Sequence, residues 1–410
     1  MNVLSLISSL AAPHDLWTIL MDWIQGGVGN LGWALLILTV LVKLITLPLE
    51  FVQKLSQKKQ TLIQQKCAPQ IAKLQKKFGN DRQRLQVQTQ AIYKAEGLKM
   101  GTGCLVMLVN MILTMVIFFS FYGTLRDVSA YNAINQYEQV VEASNAELYN
   151  QIITYSDSDE IVDKATADAW FEKYQTAKNY IDNSENDKTT ETYLTHKAFV
   201  DQHDTMVYEA TEASTAKARQ TWNAVKENWL WVQNIWVADA TTNPFPTYES
   251  LKDIAKDAGS TYVEYVEANI AEEDYNKIAS ILHAQKVKYN GYYILAILAG
   301  LVTFLSQYIT GLHSKLKSKK ANQLAKTANA QTESTLKVMK IIMPIIMVMF
   351  VLTSSASFGI YILASNISSI LFGEITSLIV DKMTKKKQQE VEEALEKEAN
   401  RLIKKGKLQG

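Results

Sequence analysis

The stretch LTVLVKLITLPLE, residues 38–50, sets a lysine, Lys43, in the middle of a run otherwise apolar enough to cross a bilayer. A charge at the centre of a spanning helix costs about 2.5–3.5 kcal/mol on insertion scales, so it needs a partner, a route to water or a role. Snorkelling is the plainest account, since the lysine stem can carry its ammonium toward an interface. Lys43 lies about ten residues from either end of its span, about 15 Å at the helical rise, which is too far for a comfortable reach. A fixed salt bridge is also a weak account, because Glu50 and Glu374 both fall near span ends.

The rest of the 410-residue chain gathers its apolar residues in blocks, at about 32–53, 103–125, 292–312, 338–354 and 357–380. Several approach the twenty or so residues needed to cross a hydrocarbon core. The near-neutral total charge conceals an asymmetry. Residues 54–99 hold eleven basic side chains against Asp81 and Glu96, a net +9, whereas 127–290 carries 28 acids and 13 bases, a net −15. The positive-inside rule puts the short basic segments 54–100 and 313–337, with the Lys-rich tail, in the cytoplasm. The N-terminus and 127–290 then lie outside. The expected fold is all-α, a polytopic membrane protein with five transmembrane helices, a cytoplasmic antiparallel helical hairpin and a helical extracellular insertion.

In order, this gives an extracellular segment 1–31, a first span 32–53, a basic hairpin 54–100 and a second span 101–125. An acidic insertion 126–290 follows. Spans at 291–312, 338–354 and 357–380, a cytoplasmic loop 313–337 and a charged cytoplasmic tail 381–410 complete the chain. No Lys or Arg precedes Lys43, so the basic region of a secretory signal and the arginines of a transit peptide are absent. Leu16, Trp17, Ile19, Leu20, Trp23 and Ile24 fall on one stripe of a helix suited to lie on the outer leaflet.

In the hairpin, Gly79-Asn80-Asp81 breaks a first helix and Gly97 stops a second. From Thr124 to Asn243 there is neither Gly nor Pro, which favours long helices, with turns at SDSDE (156–160) and DNSENDK (182–188). Tyr137, Tyr149, Trp170, Tyr174, Tyr180, Phe199 and Trp222 can supply a small core. Trp229, Trp231 and Trp236 suit a membrane–water interface, and Pro244 and Pro246 end regular structure before an acidic helical stretch, 247–285. The tail is a charged helix expected to be solvated or to dock on a partner.

Chemistry is sparse. Cys67 and Cys104 lack CxxC or His spacing and read as small buried thiols. His196 and His203 share a helical face without a third ligand. No nucleophile–base pair, phosphate loop or metal set is visible, so no enzyme, cofactor or metal is expected. Asn110, Gln307 and Asn366 are polar groups within or near the ends of other spans. Each alone reads first as an interhelical hydrogen bond, and together with Lys43 they can line a hydrated cavity.

Four sets of residues resemble the YidC–Oxa–Alb family of membrane protein insertases. LVKLITLPLEFVQKLSQKKQ (41–60) is similar to its first core span and APQIAKLQKKFGNDRQRLQVQTQAIYKAEG (68–97) to its hairpin. GTGCLVMLVNM (101–111) is similar to its second span, and YILAILAGLVTFLSQ (293–307), KIIMPIIM (340–347) and YILASNISSIL (361–371) to the rest. WLWVQNIWVAD resembles its interfacial outer segment. The chain departs from the pattern in having Lys43 where arginine is common, Val106 and Ile112 for prolines, and Asn110 for glutamine. Ser355 and Ser357 stand for Pro and Gly, Ile362 stands for tryptophan, and the insertion at 127–227 is far longer than usual. A large N-terminal periplasmic domain is absent, which favours a Gram-positive-type form.

The resemblance implies a multi-pass protein of the bacterial cell membrane that helps nascent membrane proteins enter the bilayer without nucleotide hydrolysis. It implies a groove open to cytoplasm and lipid but closed outside, with Lys43, Asn110, Gln307 and Asn366 as its lining. Nascent chains and membrane lipids are the implied partners. A ribosome, through hairpin and tail, and a Sec translocon are further candidates, and DNA is not. Two other classes compete: a small-solute (anion) transporter or channel with a cationic site, and an adhesion or sensor protein with 127–290 as its working end.

Overall fold

The computed structural model describes residues 10–78, 81–97, 100–155, 164–284, 289–317 and 330–404. Among them the only regular elements are helices: α1 Leu16–Val28, α2 Leu31–Phe78, α3 Arg82–Ala95, α4 Met100–Tyr155, α5 Lys164–Asp182, α6 Glu191–Val225, α7 Tyr248–Ala258, α8 Ser260–Asn269, α9 Glu272–His283, α10 Ile294–Lys317, α11 Ala330–Thr353 and α12 Ala356–Lys404. Two compact units emerge. One comprises Asp15–Leu125, Ala238–Ala240 and the chain from Gly291 onward; the other comprises Arg126–Val237 and Thr241–Asn290, with the residues up to His14.

The first unit is built on α2 and α12, which pack along one another. Helix α2 is continuous for 48 residues, so the first apolar block and the basic segment after it form one element despite Pro48 and Pro69. Asp15 caps α1 in a reciprocal box with Thr18, satisfying two otherwise orphaned amides. Helix α1 turns Thr18, Met21 and Ile24 inward and leaves Leu16, Ile19 and Trp23 exposed at i, i+3 and i+7, a stripe that water does not favour. Helix α3 starts at its Asp81 cap and ends before Gly97, as the turn chemistry predicts, and packs on α2, with Lys66 Nζ 2.5 Å from Glu96 Oε2. Residues Gly79 and Asn80 lie outside the described set, as does SDSDE at 156–160. Among the described residues, three helices are long and apolar enough to cross a membrane, α2, α4 and α12; the apolar parts of α10 and α11 are shorter.

The tail is not the solvated arm that its composition suggests. Helix α12 runs on to Lys404 with Val380, Thr384 and Val391 buried, and the basic half of α2 buries Leu62, Cys67 and Ile71. Lys54 Nζ donates to the Gly373 carbonyl at 2.8 Å, and Lys58 Nζ lies 3.1 Å from Asp381 Oδ1. The contacts advance together along both helices, so α2 and α12 run parallel. A sparse apolar stripe, too narrow to stand out from the charges around it, is enough to seat one helix on the other. Cys67 is a buried free thiol, as expected, while the side chain of Cys104 lies outside the described set.

The second unit hides its apolar residues in water-soluble fashion. Its main core joins Ala133, Tyr137 and Val140 of α4 and Trp222 of α6 to Phe245 and to Leu251, Val266 and Tyr275 of α7–α9. Two smaller clusters hold the α5–α6 pair together, one around Ile152 and Ala167 with Tyr149 and Trp170, the other around Tyr174, Val200 and Val207 with Phe199. Each fully buried large side chain contributes about 1.5–3 kcal/mol of transfer free energy. Trp229 and Trp236, expected at a membrane interface, are instead 4% and 1% exposed. Local composition cannot distinguish the two, because tryptophan suits both a core and an interface. Residues up to Val237 and from Thr241 group with the insertion, whereas Ala238–Ala240 group with the first unit.

Candidate functional site

The polar face of α2 is the centre of the first unit. Lys43, Glu50 and Lys54 recur at i, i+7 and i+11 and so share one face of the helix. Lys43 Nζ stands 3.6 Å from Glu50 Oε1, with the two side chains only 21% and 25% exposed. The reading that a salt bridge accounts poorly for Lys43 is therefore revised. Two helical turns separate the residues, about 10.5 Å of rise, and both long side chains extend along the helix to meet. Pro48 lies between them and has no N–H for the Leu44 carbonyl, which leaves a further acceptor on this stretch of backbone.

Asn110 of α4 donates through Nδ2 to Gln53 Oε1, one residue before Lys54. Lys54 is half-buried, holds the Gly373 carbonyl, and feels the carboxylates of Glu50 and Glu374. Asn366 of α12 is placed elsewhere. Its Nδ2 donates to Thr303 Oγ1 at 2.8 Å, and Thr303 in turn donates to the Ala299 carbonyl at 2.7 Å. Gln307 follows Thr303 by one turn of α10 and is half-buried. The four residues singled out from sequence thus do not converge on one point. Lys43 and Asn110 belong to the α2 polar face through Glu50 and Gln53, while Asn366 bonds across to α10. Gln53, Lys54 and Thr303 were not singled out from sequence, and Glu50 was weighed there only as a poor partner for Lys43. Only the seven-residue spacing of Lys43 and Glu50 was available as a signal.

Aromatic rings gather part-way along α4. Phe121 meets Tyr361 at 4.8 Å and Trp17 at 5.3 Å between centroids, and Tyr122 meets Phe358 at 4.8 Å. Trp17 Nε1 also donates to Ser120 Oγ at 2.8 Å. These rings lie some eight to twelve residues along α4 from Asn110, about 12–18 Å. They fill the space between α1, α4 and α12 with ring edges and faces in well-packed geometry.

Between Leu105 and Met115 α4 leaves most of its apolar side chains open: Leu105, Met107, Leu108, Met111, Ile112 and Met115 are each exposed. Helix α11 presents Ile341, Ile345 and Met349 in the same way. Such a surface does not persist in water and marks contact with lipid or with other apolar helices. Gly300 lets α10 and α11 approach closely, since a Cβ there would stand 2.5 Å from Val348 Cγ2.

Where the chain enters α10, Asp239 is fully buried and its Oδ2 accepts from the Leu295 amide at 3.1 Å. The Gly291 amide donates to the Asp239 carbonyl at 3.0 Å, and a Cβ on Gly291 would collide with the Asp239 carboxyl. Burial pushes the Asp239 carboxyl up, and the helix-end amides of Leu295 and Ala296 pull only partly against it. Among the described residues no group of three or more His, Cys, Asp or Glu could hold a metal. His203 packs against Trp170 and Phe199, with Nδ1 2.7 Å from the Phe199 carbonyl.

Residues 23–179 match the family model described as 60Kd inner membrane protein. Membrane protein insertase YidC of Wolinella succinogenes is 38% identical over 116 residues, 28% of this chain and 19% of that protein. The YidC of Helicobacter pylori strain 26695 is 34% identical over 116 residues, with the same shares of the two chains. That of Granulibacter bethesdensis is 41% identical over 102 residues, 25% of this chain and 16% of the relative. The aligned stretches span about a fifth of the length of these relatives. No solved structure matches. The family-model match contains Lys43, Glu50, Gln53 and Asn110 and stops before Gln307 and Asn366, so over residues 23–179 the chain is similar to the YidC/Oxa family.

Proposed function

We propose that the chain is a membrane protein insertase of a bacterial cell membrane. It receives the polar N-terminal tail of an entering protein at the α2 polar face and passes the client's apolar segment along neighbouring helices into lipid. The observation that carries this reading is the half-buried Lys43–Glu50 pair in the apolar stretch of α2, beside α4 with its exposed apolar side chains. A polar site shortens the hydrocarbon path that a client tail must cross. Flexible methionines such as Met107, Met111 and Met115, at i, i+4 and i+8, adapt to client segments of differing shape. Membrane potential assists an acidic tail moving outward by about 2.3 kcal/mol per charge per 100 mV. No nucleotide enters this scheme.

In this reading α2, α4, α10, α11 and α12 supply five crossings, with the N-terminus outside and the C-terminus in the cytoplasm. The α2–α3 pair is then a cytoplasmic hairpin braced by α12, and 126–290 is an extracellular insertion. Lys43, Asn110, Gln307 and Asn366 line the groove in two patches. Nascent membrane proteins are the clients. Ribosomes and a Sec translocon are candidate partners at the basic hairpin and tail.

Complementation in cells depleted of their own insertase tests the proposal. Lys43→Arg is expected to retain insertion of single-span clients, and Lys43→Glu to lose most of it. Equal insertion by both variants would remove the electrostatic role. Anion flux through proteoliposomes, with no effect of either variant on insertion, would favour a transporter.

A further inference from the structure

We propose that Glu50 is a built-in stand-in for a client carboxylate, occupying Lys43 at rest and setting how strongly the site selects acidic tails. The inference rests on the insertase reading of the same site.

Charge balance motivates it. Lys43 and Lys54 share the α2 face with Glu50, and Glu374 of α12 reaches Lys54, so two cations face two carboxylates. A half-buried lysine without a carboxylate would carry a desolvation cost with nothing to offset it. Lys54 has a second polar partner, the Gly373 carbonyl, whereas among the described residues the carboxylate in ionic contact with Lys43 is that of Glu50.

The geometry of the pair suits exchange. At 3.6 Å the ammonium and carboxylate are in ionic contact but beyond ordinary hydrogen-bond length. Both side chains must stretch over two helical turns to meet, so an arriving carboxylate has no short, directional bond to break. Their partial exposure leaves a path to Lys43 for that carboxylate. An acidic client residue therefore exchanges one ion pair for another, and Glu50 is released toward Lys54 and water. A neutral tail offers no such exchange and meets the pair intact.

The full chain, reconstituted in vesicles of phosphatidylethanolamine and phosphatidylglycerol, provides the test. Two single-span clients differ only in whether the N-terminal tail carries Asp or Asn, and protease protection of the tail reports insertion. The readout is the ratio of acidic to neutral insertion. Glu50→Gln is expected to raise this ratio about two- to fivefold, the range for freeing a partner from a partly exposed ion pair. Glu50→Asp keeps the charge but is one methylene too short to bridge, and should raise the ratio by a smaller factor. It serves equally if the glutamine variant fails to fold. A ratio unchanged or lowered in both variants overturns the role of Glu50. Insertion that depends on Lys43 but is indifferent to Glu50 defeats this inference alone, and insertion of neither client by the protein defeats the insertase reading with it.

Discussion

The two units of this chain solve opposite solvent problems with the same secondary structure. The unit built on α2 and α12 exposes Ile345, Leu108 and Met111 and keeps Lys43 and Glu50 half-covered. The insertion does the reverse, burying Phe245, Val266 and Tyr275 and leaving most of its acidic side chains exposed. Several buried polar groups in the insertion pair with one another. Asn234 and Asn290 exchange bonds at 2.8 Å, and Asn234 Nδ2 reaches Gln136 Oε1 at 2.9 Å. The difference teaches that exposure carries no meaning until the solvent is known. A leucine open to the surroundings is a fault in one unit and a requirement in the other.

Paired aspartate substitutions put that contrast under the greatest load. Val266→Asp places an unpaired charge at a fully buried position in the insertion core, with an expected cost of about 4 kcal/mol or more. Limited trypsin digestion of the intact protein should show the 126–290 region losing its protection. Ile345→Asp changes a residue that is 57% exposed, a substitution that water would tolerate. In a bilayer it should cost about 2.5–3.5 kcal/mol and reduce the fraction resisting alkaline extraction. If Ile345→Asp integrates as well as the unaltered chain, the contrast between the units collapses.

Asp239 sharpens the comparison at the entrance to α10. Asp239→Ala removes the side-chain acceptor for the Leu295 amide and should lower unfolding stability in detergent by about 1 kcal/mol. Asp239→Asn keeps an acceptor without a charge. Because burial raises the folded carboxyl's pKa, the contribution of Asp239 is fully present below the ordinary aspartate range. It is lost as pH rises through the raised value. Melting temperature of the unaltered protein relative to Asp239→Asn should therefore fall from acid to neutral pH. A difference independent of pH would contradict a raised pKa.

The smallest expected effect lies where α12 leaves the apolar region. Lys58→Glu faces Asp381 across 3.1 Å and should destabilise the α2–α12 contact by about 0.5–1 kcal/mol, seen as faster hydrogen exchange in residues 59–78. The double variant with Asp381→Lys should restore protection. Exchange rates that ignore both changes would mean that the apolar stripe alone seats the tail.

Much of the architecture was legible before any coordinates. Helices throughout follow from Gly- and Pro-free runs and apolar blocks, and the α3 start at Asp81 and the stop at Gly97 follow from local cap chemistry. The candidate site was legible only in part. Lys43 announced itself because a charge in an apolar run is locally anomalous. Glu50 did not, since its meaning depends on a side-chain reach across two turns. Asn110 and Asn366 looked like members of one lining, and their partners, Gln53 and Thr303, divide them. Trp229 and Trp236 were misread because the same ring is equally at home in a core and at an interface.

Sequence alone determined the properties that act over one or two helical turns or through bulk composition: helical class, apolar blocks, charge asymmetry and the oddity of Lys43. Tertiary structure decided which carboxylate answers that lysine, that the tail lies along α2, and that Trp229 and Trp236 are buried. Those outcomes depend on contacts between residues up to hundreds of positions apart, as with Lys54 and Gly373. A local pattern can require such a partner without identifying it.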